Sequence, residues 1–223
     1  MEMKEIVSTL FCEEPQSFPE AEIAAAKERF PIPPALEEFW HVSASVFSAG
    51  KLGDHVVDPS LSLNYANSED LPLFMENAGA FEAYIRRKDL SLPDPPVYVW
   101  KNTLMYSDID DPTEYFCAPS VSEFLKGMMF FEALWNGFPQ ENSITQRRLS
   151  YDDMTLLPKR LPQREARLLN WLDMHFTFYC PFPGAVLAVI DAVAEHRADC
   201  GAATPEGYAA LTDLLDGIGK PIT

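Results

Sequence analysis

The spacing of apolar side chains gives the first signal in "SFPEAEIAAAKERF". Ser17 and Glu20 stand at capping-box spacing, Pro19 sits in the first turn, and Ile23 and Phe30 fall on one helical face, so a helix is predicted. After the "PIPP" break, "ALEEFWHVSASVF" puts Leu36, Phe39, Trp40, Ser43 and Phe47 on one stripe, which predicts a second helix ending near Gly50. Residues 51–70 are polar and irregular. In "LPLFMENAGAFEAYIR" two apolar arms flank an Asn-Ala-Gly centre, the pattern of a hairpin. Phe81, Ala83 and Ile85 alternate with Glu82, Tyr84 and Arg86, so the second arm should have one buried and one wet face.

Farther along, "SLPDPP" reads as a loop, and "VYVWK" restarts a β-branched and aromatic run as a third strand. "TLMYSDIDDPTEYFCAP" reads as short strand or turn structure around an acidic loop. "SVSEFLKGMMFFEALWNG" opens with a second capping box, Ser120 to Glu123, and stops at Gly137; Phe124, Met128, Phe131, Leu134 and Trp135 mark a helix between them. Residues 138–175 read as an irregular connection with a short helix in "QREARLLNWLDMHF". The alanine-rich stretch 176–203 admits two readings, helix by propensity or successive strands in "FTFYC", "AVLAVI" and "RADCGAA". Thr204 as N-cap, Pro205 at the first helical position, Tyr208, Leu211, Leu214 and Leu215, then Gly217, predict a closing helix. With no repeat or linker, residues 1–223 are expected to form one domain.

Charge changes this picture most. Thirty-four acids face 17 lysines and arginines, a formal net charge of −17, and phosphate backbones would repel such a surface. The deficit is regional: residues 52–85 hold six acids and residues 102–125 five, with no Lys or Arg in either. Residues 147–167 run the other way, with Arg147, Arg148, Lys159, Arg160, Arg164 and Arg167. No apolar run approaches the roughly 18 residues of a membrane span. "MEMKEIVSTLFCEEPQ" has no basic segment leading into an apolar one, so a cytoplasmic protein is expected. Cys12, Cys117, Cys180 and Cys200 lie far apart and read as free thiols.

Specific chemistry is sparse. The ten glycines are scattered, giving no phosphate-binding fingerprint, and His41, His55, His175 and His196 lack zinc-ligand spacing. An EF-hand loop begun at Asp108 would put Pro112 and Pro119 where oxygen ligands are required. No nucleophile elbow occurs. These readings predict no catalytic, cofactor or metal residue. Asn77 and Gly79 have the backbone tolerance a chain reversal needs, so Glu76-Asn77 reads as turn chemistry. The carboxylates are the remaining candidates, as a docking face for a basic partner: Asp108, Asp110, Asp111 and Glu114, with Asp54, Asp58, Glu69 and Asp70 as a second cluster.

In order and spacing, "ENAGAFEAYI", "DLSLPDPPVYVW" and "APSVSEFLKGMMFFEALWNG" resemble the SUKH superfamily, which includes the yeast cell-wall assembly regulator and bacterial immunity proteins of polymorphic toxin systems. Glu76, Asn77 and Gly79 match its turn, and Asp94, Pro95 and Pro96 match its strand entry. Ser122, Phe124 and Leu125 match its helix. "IPPALEEFW" is similar to its upstream helix. Ala78 stands where the family commonly has Gln, and Phe81 or Tyr84 replaces a tryptophan after the turn. The likeness covers about residues 31–137, and "AATPEGYAAL" resembles the closing strand and helix of the family.

The resemblance implies an α+β fold with an antiparallel sheet packed by helices, and strands in 176–203. It also implies a non-catalytic protein-binding module, an immunity protein that occupies a toxin domain such as a nuclease. A basic toxin would suit the acidic charge. Two alternatives stay open: a regulatory scaffold of the same superfamily without a toxin partner, and an enzyme, which a pocket of convergent perturbed acids would favour.

Overall fold

In this computed structural model, residues 1–48, 55–56, 58–60, 69–75, 81–101, 114–139 and 145–222 are described, apart from the side chains of 55, 56 and 101. The chain begins with α1 (Met3–Leu10), α2 (Glu20–Arg29), α3 (Pro34–Val42) and α4 (Ala44–Phe47). Strands β1 (His55–Val56), β2 (Leu71–Met75), β3 (Phe81–Ile85), β4 (Val97–Lys101) and β5 (Glu114–Ala118) follow. Next come α5 (Val121–Glu132), ending in a π turn over Ala133–Gly137, then β6 (Thr145–Leu149) and α6 (Tyr151–Arg160). The chain closes with β7 (Ala166–Trp171), β8 (Met174–Tyr179), β9 (Ala185–Ala192), β10 (His196–Ala202), α7 (Pro205–Leu214) and β11 (Lys220–Pro221). Helices and antiparallel sheets make this an α+β fold.

The chain divides into two compact units. One comprises Glu14–Leu125 with Asn170–Leu172; the other comprises Met1–Glu13, Lys126–Leu169 and Asp173–Thr223.

In the first unit the strands are ordered β1-β2-β3-β4-β5, every pair antiparallel. The hairpin expected over 71–86 is present, with Leu71 opposite Ile85; its turn, 76–80, lies outside the described residues. Phe81, Ala83, Ile85, Val97, Val99 and Cys117 form the buried face. Trp171, fully buried, meets Phe74 edge-on at 4.9 Å and lies 6.0 Å from Phe81 and 6.5 Å from Phe124. Burying rings of this size is the largest apolar contribution a single residue makes.

Two helix expectations need correction here. Because Pro19 is the N-cap of α2, Ser17 lies too far upstream to cap it. Its hydroxyl donates to the Phe18 carbonyl at 2.8 Å, and no side chain caps the helix. The expected single helix over 35–47 is two, broken at buried Ser43. Gln16 intervenes there: its amide donates to the Val42 carbonyl and its carbonyl accepts from the Ala44 amide. The expected stripe is nonetheless buried.

The second unit holds a six-stranded antiparallel sheet in the order β11-β6-β10-β9-β8-β7. On one face Leu187, Val189, Ala198 and Cys200 join Leu211 of α7 and Leu215 just beyond it. On the other, Phe176 and Phe178 stack at 6.0 Å and meet Phe131 and Phe130 of α5. A side chain at Gly127 would come within 2.8 Å of Leu168, so glycine lets α5 lie this close. The strand reading of 176–203 and the closing helix are both present. Thr204 accepts from the Gly207 amide at 3.2 Å, and Gly217 beyond the helix has φ +71°.

The expected irregular connection over 138–175 is the main correction. It contains β6, a helix α6 with a complete Ser150/Asp153 capping box, and β7. The segment looked irregular because α6 buries only Leu157 among its own residues and β6 is largely polar. "QREARLLNWLDMHF" is a hairpin and not a helix: Ala166, Leu168 and Trp171 point inward, and Asn170, Leu172 and Asp173 take positive φ to reverse the chain.

Candidate functional site

The five-stranded sheet has an outer face richer in aromatics than the expected wet side. Register places Glu82, Trp100 and Glu114 in one cross-strand row and Tyr84, Tyr98 and Phe116 in the next. Directly opposed residues share a face with Cβ atoms about 5 Å apart. Trp100 is 42% exposed and Phe116 41%, while Tyr84 is covered. Tyr84 meets Trp100 edge-on at 5.8 Å, and Tyr98 meets Phe116 edge-on at 6.0 Å.

A polar chain fixes these rings. Trp100 Nε1 donates to the Tyr84 hydroxyl, which donates to Glu114. Burial pushes the Tyr84 phenol up to about 12, keeping its proton in place for that bond. Arg86 Nε donates to the Glu114 carboxylate at 3.0 Å, a second guanidinium nitrogen contacts its other oxygen, and the guanidinium lies 3.5 Å above the Tyr98 ring. Glu82, beside Trp100, has its carboxyl raised by burial alone.

The predicted acids fall into separate settings. Glu114 belongs to this network and is neutralised by Arg86. Glu69 lies 3.8 Å from Arg87, and Asp70 accepts from the Arg87 amide at 2.8 Å. Asp58 accepts from the Ser60 hydroxyl at 2.7 Å. Asp54, Asp108, Asp110 and Asp111 lie outside the described residues, as do Glu76, Asn77 and Gly79. The sequence reading passed over Glu82, although its alternation with Phe81 and Ala83 had already placed it on the outer face.

The motif residues 94–96 and 122–125 meet at the start of α5. Asp94 accepts from the Ser122 amide at 3.0 Å, and Ser120 accepts from the Glu123 amide at 3.1 Å. A carboxylate and a hydroxyl thus take two of the helix's four unpaired amides and answer its positive end. Pro95, Phe124 and Leu125 are buried and Pro96 is half-buried. These positions are structural.

Elsewhere in the same unit, Arg29, Phe30, Glu69, Arg87 and Leu90 line an open cleft of about 430 Å³. In the other unit Asp199 is fully buried on β10, 3.2 Å from Arg197 Nε and 3.5 Å from Gln146 Nε2. Burial raises its carboxyl to about 6 against the pull of Arg197. Of the basic segment, Arg148 reaches Glu195 at 3.6 Å, and Arg147 donates to the Leu215 carbonyl. Burial pushes the Cys180 and Cys200 thiols up to about 12, far from the thiolate a nucleophile needs. Among the described residues no three His, Cys, Asp or Glu side chains gather as a metal site, and no helix is long and apolar enough to cross a membrane.

No family model, curated protein or solved structure matches the chain.

Proposed function

We propose that this chain is a non-catalytic protein-binding module of SUKH type, an immunity protein that neutralises a basic toxin domain, such as a nuclease, by covering it. One observation carries the reading. However the 17 Lys and Arg pair internally, a formal charge of −17 remains that the chain's own lysines and arginines do not cancel. A protein charged this way attracts a basic surface, and such steering raises association rates by about 10 to 1000-fold at low salt. Nuclease domains carry Lys and Arg for phosphate, so they suit that field.

Growth tests the reading. Cells expressing a toxin domain encoded beside this protein should survive when the protein is co-expressed; death at the same rate with and without it overturns the immunity function. The association rate with that toxin should fall steeply between about 50 mM and 500 mM salt, because the Debye length shortens from about 14 Å to about 4 Å.

A further inference from the structure

We infer that Trp100 and Glu82, adjacent on the outer face of the five-stranded sheet, form a recognition site for an arginine side chain of a basic protein partner. The inference rests on the protein-binding reading above and names a point of contact for it.

The protein contains its own template for this contact. On the same face the Arg86 guanidinium lies 3.5 Å above Tyr98, in the next row, and is ion-paired to Glu114, the other cross-strand neighbour of Trp100: one cation held by one ring and one carboxylate. Trp100 and Glu82 repeat the ring and the carboxylate as direct cross-strand neighbours. Among the described residues no cation lies over Trp100. The indole is 42% exposed, and Glu82 makes no ion pair or hydrogen bond among the described residues. Glu82 is exposed at the surface, yet partial loss of water still raises its carboxyl, so its charged form is less favoured than in open solvent. An arriving guanidinium would relieve that cost.

The indole is also held ready. Its Nε1 is tied to the Tyr84 hydroxyl and through it to Glu114, so its ring plane is set before any partner arrives. Preorganised aromatic rings lose little entropy on binding. Tryptophan is the strongest ring for cation–π attraction, and a planar guanidinium can stack on it while its edge meets Glu82. The charge of −17 favours basic partners in general, and this pair gives one arginine a defined seat.

The test is a titration of the ¹⁵N-labelled protein with a tetra-arginine peptide, with a tetra-citrulline peptide as the neutral control. The Trp100 indole signal, assigned with Trp100→Phe, should shift with arginine and stay still with citrulline. Glu82→Gln and Trp100→Ala should each weaken binding about tenfold. Glu206→Gln, which removes the same charge from an exposed position at the start of α7, should leave it unchanged. Equal losses in Glu82→Gln and Glu206→Gln, or an unmoved Trp100 signal, would overturn the site, since binding would then follow net charge alone. The titration uses no toxin: a dead site with cells still protected removes this contact and keeps the immunity reading, and the reverse outcome removes that reading and keeps the contact.

Discussion

Each sheet carries an arginine–carboxylate pair, and the two stand in opposite surroundings. Arg86 and Glu114 lie on the outer face of the five-stranded sheet, with side chains 27% and 31% exposed, among rings and a hydroxyl that complete their bonding. Arg197 and Asp199 lie on β10 of the six-stranded sheet, where the carboxylate is fully buried and the arginine is 22% exposed. The first pair organises a surface. The second is a charge in the interior, and the attraction of Arg197 does not offset the desolvation that raises Asp199 to about 6. One motif therefore does two jobs, decided by how much water reaches it.

The sharpest way to test that contrast is to remove the buried cation. Arg197→Met removes the attraction that holds the Asp199 carboxyl down, so at pH 7.5 the fold must either keep a buried charge without its guanidinium or take up a proton, which should cost about 3 to 5 kcal/mol of stability in urea unfolding. At pH 5 most Asp199 is protonated in the folded protein, so the loss should be much smaller. Equal losses at both values would mean that the charge on Asp199 is not what Arg197 offsets.

Asp199→Asn probes the same pair from the other side. The folded carboxyl titrates near 6 against an ordinary value of 3.8, so the folded state holds its proton more tightly than the unfolded chain. The stabilisation from that proton is complete below pH 3.8 and is lost as the pH rises through 6. The difference corresponds to about 3 kcal/mol. Wild type should lose about that much relative to Asp199→Asn between pH 4 and pH 7.5. Parallel stability curves for the two proteins would place the titration elsewhere.

The same contrast governs what the sequence made legible. Strands β3 and β4 present one buried face, so Phe81, Ala83 and Ile85 alternate with polar positions and the hairpin could be read directly. Strand β9 is buried on both faces from Ala185 to Ile190, so no alternation survives, and the choice between helix and strand stayed open. Asp199 was missed because an acid in "RADCGAA" resembles a surface position until its neighbours on β6 and β9 are known. Helix α1 is absent from the sequence expectations although Met3, Ile6, Val7 and Leu10 recur at helical spacing; it is only eight residues long and has no side-chain cap to mark its start. The Glu82–Trp100 pairing depends on register, which neither strand's own pattern specifies.

On the open face the expected effects are smaller. Tyr84→Phe removes one hydroxyl that both accepts from Trp100 and donates to Glu114. It should cost about 1 kcal/mol, with a displaced Trp100 indole signal. Because the phenol titrates near 12, this cost should be constant from pH 6 to pH 9. An unmoved indole signal would mean that Trp100 is not held through Tyr84.

Glu114→Gln is the mildest change and the most direct comparison with the interior. The amide oxygen still accepts from Tyr84, so the charge opposite Arg86 and one of its two contacts are lost, and partly exposed pairs of this kind contribute about 1 kcal/mol or less. Salt separates the two sites. At 1 M ionic strength the Debye length is about 3 Å, so the cost of Glu114→Gln should fade toward zero. The cost of Arg197→Met should persist, since counterions do not reach the fully buried Asp199. If salt erased both effects alike, the distinction between a surface-organising pair and an interior charge would fail; if it erased neither, the outer face would be drier than the 42% exposure of Trp100 implies.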